Sequence, residues 1–151
     1  MEVVVKKYVT GFLFSQDSSH VVLIKKINPA WQRGLFNGVG GKVEVNELSI
    51  DAMVREFSEE TGVETQPEDW TCFANVFRAN CYDVDMYFAH SDLAFSAKTI
   101  EAEEIHTLKV NELPQNIIPN LQWLIPLALD AQADFSTPVR IQEIAEERIT
   151  A

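Results

Sequence analysis

Residues 41–63, GKVEVNELSIDAMVREFSEETGV, constrain this chain more than any other segment. Three of their carboxylates, Glu56, Glu59 and Glu60, stand at positions i, i+3 and i+4, a spacing that brings side chains together on one face of an α-helix. Apolar residues repeat with the same spacing on a different side: Ile50, Met53, Val54 and Phe57. The segment therefore predicts a helix with one buried face and one acidic face.

The acidic face of this helix needs a positive partner. Like charges at i and i+4 destabilise a helix by about 0.2–0.5 kcal/mol per pair. Arg55 is the only basic residue after Lys42 in the segment, so a divalent metal is the better candidate, and carboxylate oxygens suit Mg²⁺ or Mn²⁺. The alternative is a solvated acidic surface, which is what an isolated run of charges usually forms.

The complete spacing of the segment favours the metal. It resembles the Nudix (MutT-like) box, G-x5-E-x7-R-E-U-x-E-E-x-G-U, in which U is a bulky apolar residue. Every fixed position is filled, by Gly41, Glu47, Arg55, Glu56, Phe57, Glu59, Glu60, Gly62 and Val63. Phe57 stands where the family usually has an aliphatic residue, which alters packing beneath the helix but removes no ligand.

The resemblance also implies a fold. It covers roughly residues 5–130 and implies an α/β fold of the Nudix type, an α/β/α sandwich with a mixed sheet between helices. A length of 151 residues suits one domain, so we expect a single Nudix hydrolase domain over residues 1–151 with its box at residues 41–63.

Hydrophobic periodicity predicts the individual strands. Strands are expected at residues 3–14, 21–25, 70–77 and 83–90, the first two as a hairpin and the last two as an antiparallel pair. Residues 105–110 form a further apolar-alternating stretch. Residues 28–41, NPAWQRGLFNGVGG, read as a glycine-rich loop. This loop lacks the Gly-Lys-Ser/Thr ending of a P-loop, which disfavours a P-loop ATPase or kinase.

Two helices are expected on opposite faces of the sheet. The box helix begins with Ser49 as N-cap and ends near Thr61, with Gly62 in the left-handed position that follows a helix. Residues 121–131 form the second helix, which Pro126 either bends or starts. The tail from residue 134 onward is expected to add a final strand.

The resemblance implies a metal site and a set of catalytic roles. The Gly40 carbonyl, Glu56, Glu59 and Glu60 would hold Mg²⁺, with Mn²⁺ as a possible substitute. Glu104 would supply a remote carboxylate, with Glu103 in reserve and a solvated acidic loop as the alternative. Glu56 would be the general base, with Glu59 as its competitor.

Arg55 has an indirect role in this scheme. Its rigid guanidinium would hold Glu47 through charge-assisted hydrogen bonds. The alternative is an exposed ion pair with Asp51 or Glu59, which contributes about 0.3–0.5 kcal/mol.

The same resemblance extends to the nucleotide base. Residues 36–44, FNGVGGKVE, are similar to the N-G-x-G-G-K stretch of Nudix enzymes that hydrolyse oxidised purine nucleoside triphosphates. Asn37 would read the base edge, or it would simply end a turn. The other substrate-binding candidates are Gly40, Gly41, Lys42 and Asn120, with Trp31 or Phe36 stacking on the base.

These observations lead to one functional expectation and two alternatives. We expect a Mg²⁺-dependent Nudix pyrophosphohydrolase that cleaves a nucleoside triphosphate to a nucleoside monophosphate and pyrophosphate, within the group that sanitises oxidised purine nucleotides. The first alternative is hydrolysis of ADP-ribose or another nucleoside diphosphate derivative. The second is a non-catalytic, nucleotide-sensing Nudix module, which the complete set of box acids disfavours.

Composition limits the partners. A formal net charge of −11 disfavours nucleic acid and anionic membranes, which select for basic surfaces. Cys72 and Cys81 form no metal or redox motif, and the N-terminus does not resemble a secretory signal. We therefore expect a cytoplasmic monomer or homodimer that binds a small nucleotide, with free thiols of which one or both are buried.

Overall fold

The computed structural model describes residues 3–144. It contains eight strands and two α-helices in the order β1, β2, β3, β4, α1, β5, β6, β7, α2, β8. The strands are β1 Lys6–Phe14, β2 His20–Lys25, β3 Phe36–Asn37, β4 Val39–Lys42, β5 Thr71–Arg78, β6 Tyr82–His90, β7 Glu104–Lys109 and β8 Val139–Gln142. The helices are α1 Ser49–Thr61 and α2 Leu121–Ala128.

All eight strands belong to one mixed sheet. Its main order is β3-β2-β1-β6-β5-β8, with β4 also pairing to β1 and β7 to β2. The central pair, β1 and β6, is parallel from Lys6↔Tyr82 to Phe14↔His90. The β5–β8 pair is also parallel, whereas β5 and β6 are antiparallel. The prediction of a mixed sheet is confirmed.

The two helices cover opposite faces of this sheet. Alternate residues of β1 point to different sides, so Val9 and Leu13 join one apolar cluster while Phe12 and Phe14 join the other. Helix α1 contributes to the first cluster through Ala52, Met53 and Phe57, and α2 contributes to the second through Leu121, Leu124 and Ile125. The α/β/α sandwich is therefore confirmed.

Helix α1 lies unusually close to the central strand of the sheet. A Cβ atom added at Gly11 would come within 2.7 Å of Met53 Sδ and 3.0 Å of the Trp70 ring. Phe57 is fully buried beside the same ring, at a centroid distance of 5.2 Å in an edge-to-face arrangement. The aromatic residue that departs from the usual box thus packs against a second aromatic residue at the base of the helix.

Two expectations about the N-terminal half are wrong. The strand predicted at residues 3–14 begins only at Lys6, and Val3 to Val5 are exposed. The glycine-rich residues 28–41 are not a plain loop, because they contain β3 and enter β4. Glycine makes this possible, since a Cβ atom at Gly40 would lie 1.8 Å from the Val9 carbonyl oxygen of the adjoining strand.

The helix ends largely follow the prediction. Gly62 has the expected left-handed conformation, with φ of 77°. The N-cap is Leu48 rather than Ser49, because the Ser49 hydroxyl donates to Asp85 on β6 instead of capping the helix. Pro126 lies inside α2 and does not start it.

The remaining expectations concern the cysteines, the tail and the membrane. Both cysteines are free thiols, as expected, but the expectation that at least one is buried is wrong, because Cys72 is only half-buried and Cys81 is exposed. The tail supplies the predicted final strand, β8, and continues beyond residue 144 outside the described residues. Between residues 3 and 144, no helix is long and apolar enough to cross a lipid bilayer.

We expect Phe57→Ala to destabilise the protein by about 3–5 kcal/mol, because it leaves a cavity beneath α1 where the ring is fully buried. Phe95→Ala is the matched control, since Phe95 is 56% exposed, and it should cost less than about 1 kcal/mol. Urea unfolding of both variants measures the difference. Equal losses of unfolding free energy in the two variants would show that packing of the Phe57 ring does not stabilise α1.

Candidate active site

Arg55 holds Glu47 with two parallel hydrogen bonds. Its Nε donates to Glu47 Oε2 at 2.8 Å and its Nη2 donates to Glu47 Oε1 at 2.9 Å. Nη2 also donates to the Lys42 carbonyl at 3.1 Å. These bonds lower the pKa of Glu47 to about 2, so its carboxylate stays ionised. The predicted contact is confirmed, and it ties β4 and the loop before α1 to the helix.

The same guanidinium also contacts two of the predicted metal ligands. Arg55 Nη1 donates to Glu56 Oε1 at 2.9 Å and to Glu59 Oε2 at 3.3 Å. The Glu59 contact is the i, i+4 ion pair that the sequence left open as an alternative. Arg55 thus acts directly on the acidic face and gathers Glu47, Glu56 and Glu59 around one cation.

Glu56 sits against the backbone of the glycine pair. A Cβ atom added at Gly41 would lie 2.5 Å from Glu56 Cδ and 2.6 Å from both carboxylate oxygens. The Glu56 side chain is 13% exposed. Burial raises its pKa above the ordinary value, while Arg55 opposes that shift. Glycine at position 41 is therefore what allows this carboxylate to lie beside β4.

Glu60 is a half-buried member of the acidic cluster whose pKa is strongly raised. Its pKa is raised to about 7, chiefly by burial and also by the nearby charges of Glu101, Glu56 and Glu103, while Lys26 opposes the rise. Two half-buried carboxylates, Glu56 and Glu60, thus lie near other acids, while Arg55 and Lys26 offset part of the repulsion. Such an arrangement favours the binding of an additional cation.

The remote carboxylates occupy three different environments. Glu104 is exposed at the start of β7, with its Oε1 2.9 Å from His106 Nε2. Glu103 accepts hydrogen bonds from Lys26 and from backbone amides. Glu101, which the sequence analysis did not select, is the acid outside the box whose charge raises the pKa of both Glu56 and Glu60. Glu101 stands in the same acidic run as Glu103 and Glu104, residues 101–104, and that was the sequence signal that could have identified it. The assignment of Glu104 as a metal ligand stays a prediction.

The carboxylate oxygens on α1 suit a hard divalent cation, although Arg55 forms hydrogen bonds with two of these carboxylates. Between residues 3 and 144, no three His, Cys, Asp or Glu side chains converge closely enough to share one ion. Arg55 Nη1 binds one carboxylate oxygen each of Glu56 and Glu59. The carboxylate oxygens, with those of Glu56 held beside Gly41, nonetheless have the chemistry of ligands for an oxygen-ligated metal.

The candidate base-reading residues lie on segments that pair with each other. The Phe36 amide donates to the Asn116 carbonyl at 2.8 Å, and the Ile118 amide donates to the Phe36 carbonyl at 2.9 Å. This pairing brings Asn37 near the segment that leads to Asn120, the residue before α2. Both candidates therefore belong to one region of the molecule.

The side chains in this region differ in their hydrogen bonds and in their exposure to solvent. Asn37 Oδ1 accepts from the Gly38 amide at 2.8 Å, and its Nδ2 donates to Gln32 Oε1 at 3.2 Å. Of the two stacking candidates, Trp31 is 67% exposed, whereas Phe36 is buried edge-on against His106. Trp31 is therefore the aromatic ring that is open to a ligand.

A polar cavity of about 360 Å³ adjoins the start of α1. Glu47, Ser49 and Asp85 line it, but the glutamates at positions 56, 59 and 60 do not. The Ser49 hydroxyl donates to Asp85 Oδ2 at 2.7 Å and lies 2.8 Å from the Tyr87 hydroxyl. This network anchors the start of α1 to β6, and sequence spacing gave no signal for it.

The chain belongs to the Nudix family, since the family model described as NUDIX domain matches residues 6–129. Comparison with curated proteins gives no match. By its family match the protein is a Nudix hydrolase. Nudix hydrolases in general use divalent metal ions and act on small nucleotides, which agrees with the carboxylates gathered on α1.

Solved structures support the fold. A MutT NUDIX hydrolase from Burkholderia pseudomallei has a TM-score of 0.64 at 20% identity, covering 82% of this chain and 98% of that one. MutT, from a study of the Aliivibrio salmonicida and Vibrio cholerae proteins, has a TM-score of 0.60 at 21% identity, covering 80% and 96%. A MutT/nudix family protein from Enterococcus faecalis has a TM-score of 0.60 at 20% identity over 72% of this chain, which spans only 45% of that longer chain.

Gly41→Ala should separate activity from stability. The added methyl group displaces the Glu56 carboxylate, the flexible end of a side chain, so we expect turnover to fall about 10²-fold with little change in melting temperature. Gly40→Ala is the contrasting variant, because its methyl group meets strand backbone and should lower the melting temperature. Full activity of Gly41→Ala would show that the position of Glu56 is unimportant.

The raised pKa of Glu60 predicts pH-dependent stability of the metal-free protein. Folding favours the protonated carboxyl, so this contribution is fully present below the ordinary pKa of 4.5 and is lost as pH rises through about 7. Glu60→Gln removes the effect, and its gain in unfolding free energy over the native protein should be larger at pH 8 than at pH 5. Urea unfolding in chelator measures this, and parallel pH profiles of the two proteins would contradict it.

Proposed function

We propose that this protein is a Mg²⁺-dependent hydrolase that cleaves nucleoside triphosphates to nucleoside monophosphates and pyrophosphate and prefers oxidised purine substrates. One observation carries the proposal: two half-buried carboxylates lie near each other on α1, Glu56 against Gly41 and Glu60, whose pKa the charge of Glu56 raises. An ionised site of this kind gains free energy from a divalent cation and a polyphosphate together, since Mg²⁺ commonly binds through carboxylates and substrate phosphates.

The residues that would hold the metal are Gly40, through its carbonyl, with Glu56, Glu59 and Glu60, and Glu104 from outside the box. Glu101 joins them as a further candidate, because its charge acts on two of these acids. When bound, Mg²⁺ supplies positive charge to the polyphosphate and Lewis acidity for hydrolysis. Mn²⁺ offers a similar preference for oxygen ligands and should substitute.

Glu56 is our choice for the proton acceptor, and Glu59 is its competitor. Burial raises the pKa of Glu56, which makes its carboxylate a better base near neutral pH. Arg55 limits the rotation of Glu56 through the 2.9 Å bond from Nη1, and Glu47 in turn orients Arg55. In this account Arg55 and Glu47 are positioning residues, and Lys42 contributes its carbonyl to the same arrangement.

The preference for an oxidised purine rests on the region around Asn37. Its amide offers both a donor and an acceptor, which a base edge could engage in place of Gln32 and Gly38. Asn120 lies near Asn37, because residues 116–118 just before it pair with Phe36. The exposed Trp31 ring is available for stacking on the base. The free thiols suit a cytoplasmic enzyme.

A substrate panel tests the proposal. Metal-stripped protein with added Mg²⁺ or Mn²⁺ is assayed on dGTP, oxidised dGTP, ATP, ADP-ribose and dinucleoside polyphosphates, with separate detection of pyrophosphate and phosphate. We expect pyrophosphate from the triphosphates and the highest kcat/KM on oxidised dGTP. Glu56→Gln should lower turnover by about 10²–10⁴-fold without unfolding, and the exposed Glu112→Gln should retain it.

Two outcomes of the panel would contradict the proposal. Predominant cleavage of ADP-ribose would favour a nucleoside diphosphate derivative as substrate, and binding without turnover would favour a sensing module. Asn37→Ala provides a second arm, because it should reduce the ratio of kcat/KM between oxidised and ordinary dGTP. An unchanged ratio would remove Asn37 from base reading.

A further inference from the structure

Glu103 makes three hydrogen bonds to the start of the β2–β3 loop, residues 26–35. Its Oε1 accepts from Lys26 Nζ at 3.0 Å, and its Oε2 accepts from the Ile27 amide at 2.6 Å and the Asn28 amide at 3.3 Å. The side chains of both ion-pair partners are largely buried, at 17% and 20% exposure. Because the carboxylate satisfies two backbone donors as well as an ammonium group, this contact restrains the loop backbone.

The β2–β3 loop reaches both halves of the proposed site. At its start, the charge of Lys26 acts on Glu60 in the box helix. Farther along, Gln32 accepts a hydrogen bond from Asn37, the candidate base reader, and the neighbouring Trp31 ring is exposed. The loop closes on itself, since the Lys26 amide donates to the Leu35 carbonyl at 2.9 Å and the Gly34 amide donates to the Lys26 carbonyl at 2.8 Å.

These contacts make Glu103 the link between the β2–β3 loop and the acidic residues 101–104. Glu103 lies two residues from Glu101, whose charge acts on Glu56 and Glu60. Its own carboxylate is turned to the loop, where Lys26, Ile27 and Asn28 use both of its oxygens. A carboxylate saturated in this way is poorly placed to serve as the reserve metal ligand that the sequence suggested.

We propose that Glu103 is a positioning residue that holds the β2–β3 loop in place as one wall of the nucleotide site. This inference rests on the proposed function, because the loop is a wall only if the nucleotide lies between Asn37 and the box carboxylates. Without the Glu103 contacts the loop should sample more conformations, and substrate binding would then include the entropic cost of ordering it. Glu103 therefore affects how tightly the nucleotide binds more than how fast it is cleaved.

Steady-state kinetics of Glu103→Gln test the inference, with Glu112→Gln as the matched control on an exposed glutamate. Glutamine is nearly isosteric but cannot form the ion pair with Lys26. We expect KM for the nucleoside triphosphate to rise about tenfold, with kcat and the Mg²⁺ concentration for half-maximal activity changed less than twofold. Glu112→Gln should leave all three unchanged.

Amide hydrogen exchange provides a readout that does not depend on turnover. In the native protein the Ile27 amide should be protected, because it donates to Glu103, and in Glu103→Gln residues 26–35 should exchange faster while β1 and β6 remain protected. Fast exchange of the Ile27 amide in the native protein would overturn the inference even if the variant fails to fold.

Three kinetic results would also overturn the inference. An unchanged KM would show that the loop is not part of the nucleotide site. A raised Mg²⁺ requirement with unchanged KM would make Glu103 a metal ligand, and a fall in kcat alone would place its effect on the box carboxylates. If the native protein cleaves no nucleoside triphosphate, the proposed function fails independently, while the exchange measurement still reports whether Glu103 orders the loop.

Discussion

The arrangement of the site depends on one guanidinium group. Arg55 uses Nε and Nη2 to hold Glu47 and Nη1 to hold Glu56 and Glu59, so a single rigid side chain connects the loop after β4 to the acidic face of α1. Arginine suits this task because its donors lie in one plane at fixed angles. The guanidinium thereby contacts three mutually repelling carboxylates, while the sheet buries the opposite side of the same helix.

The sheet contributes a second constraint through its glycines. Met53 packs over Gly11, and the Glu56 carboxylate lies over Gly41, so α1 contacts the sheet at points where no side chain intervenes. Residues that pack the core and residues that form the site thus alternate on one helix and depend on the same close approach. Phe57 fills the space between this helix and the Trp70 ring.

Short-range patterns account for much of what the sequence predicted correctly. Helical spacing predicted α1, its buried face and Gly62, while alternation predicted β5 and β6, because these signals depend on residues close in the chain. The glycine-rich residues 28–41 have the local composition of a loop, and their strands form only by pairing with other segments, β3 with β2 and β4 with β1. Contacts such as Glu103 with Ile27 and Ser49 with Asp85 also join distant segments, and no local pattern predicts them. The roles of individual site residues remain predictions.

The central claim is that one turn of α1, supported by Arg55, captures a divalent cation. The most direct measurement is a crystal structure of the protein soaked in Mn²⁺, with anomalous scattering used to locate the ion. The account predicts an anomalous peak within coordination distance of Glu56 and Glu60 and near the Gly40 carbonyl. The absence of a peak there, or a peak found only at another carboxylate pair such as Asp83 and Asp85, would contradict it.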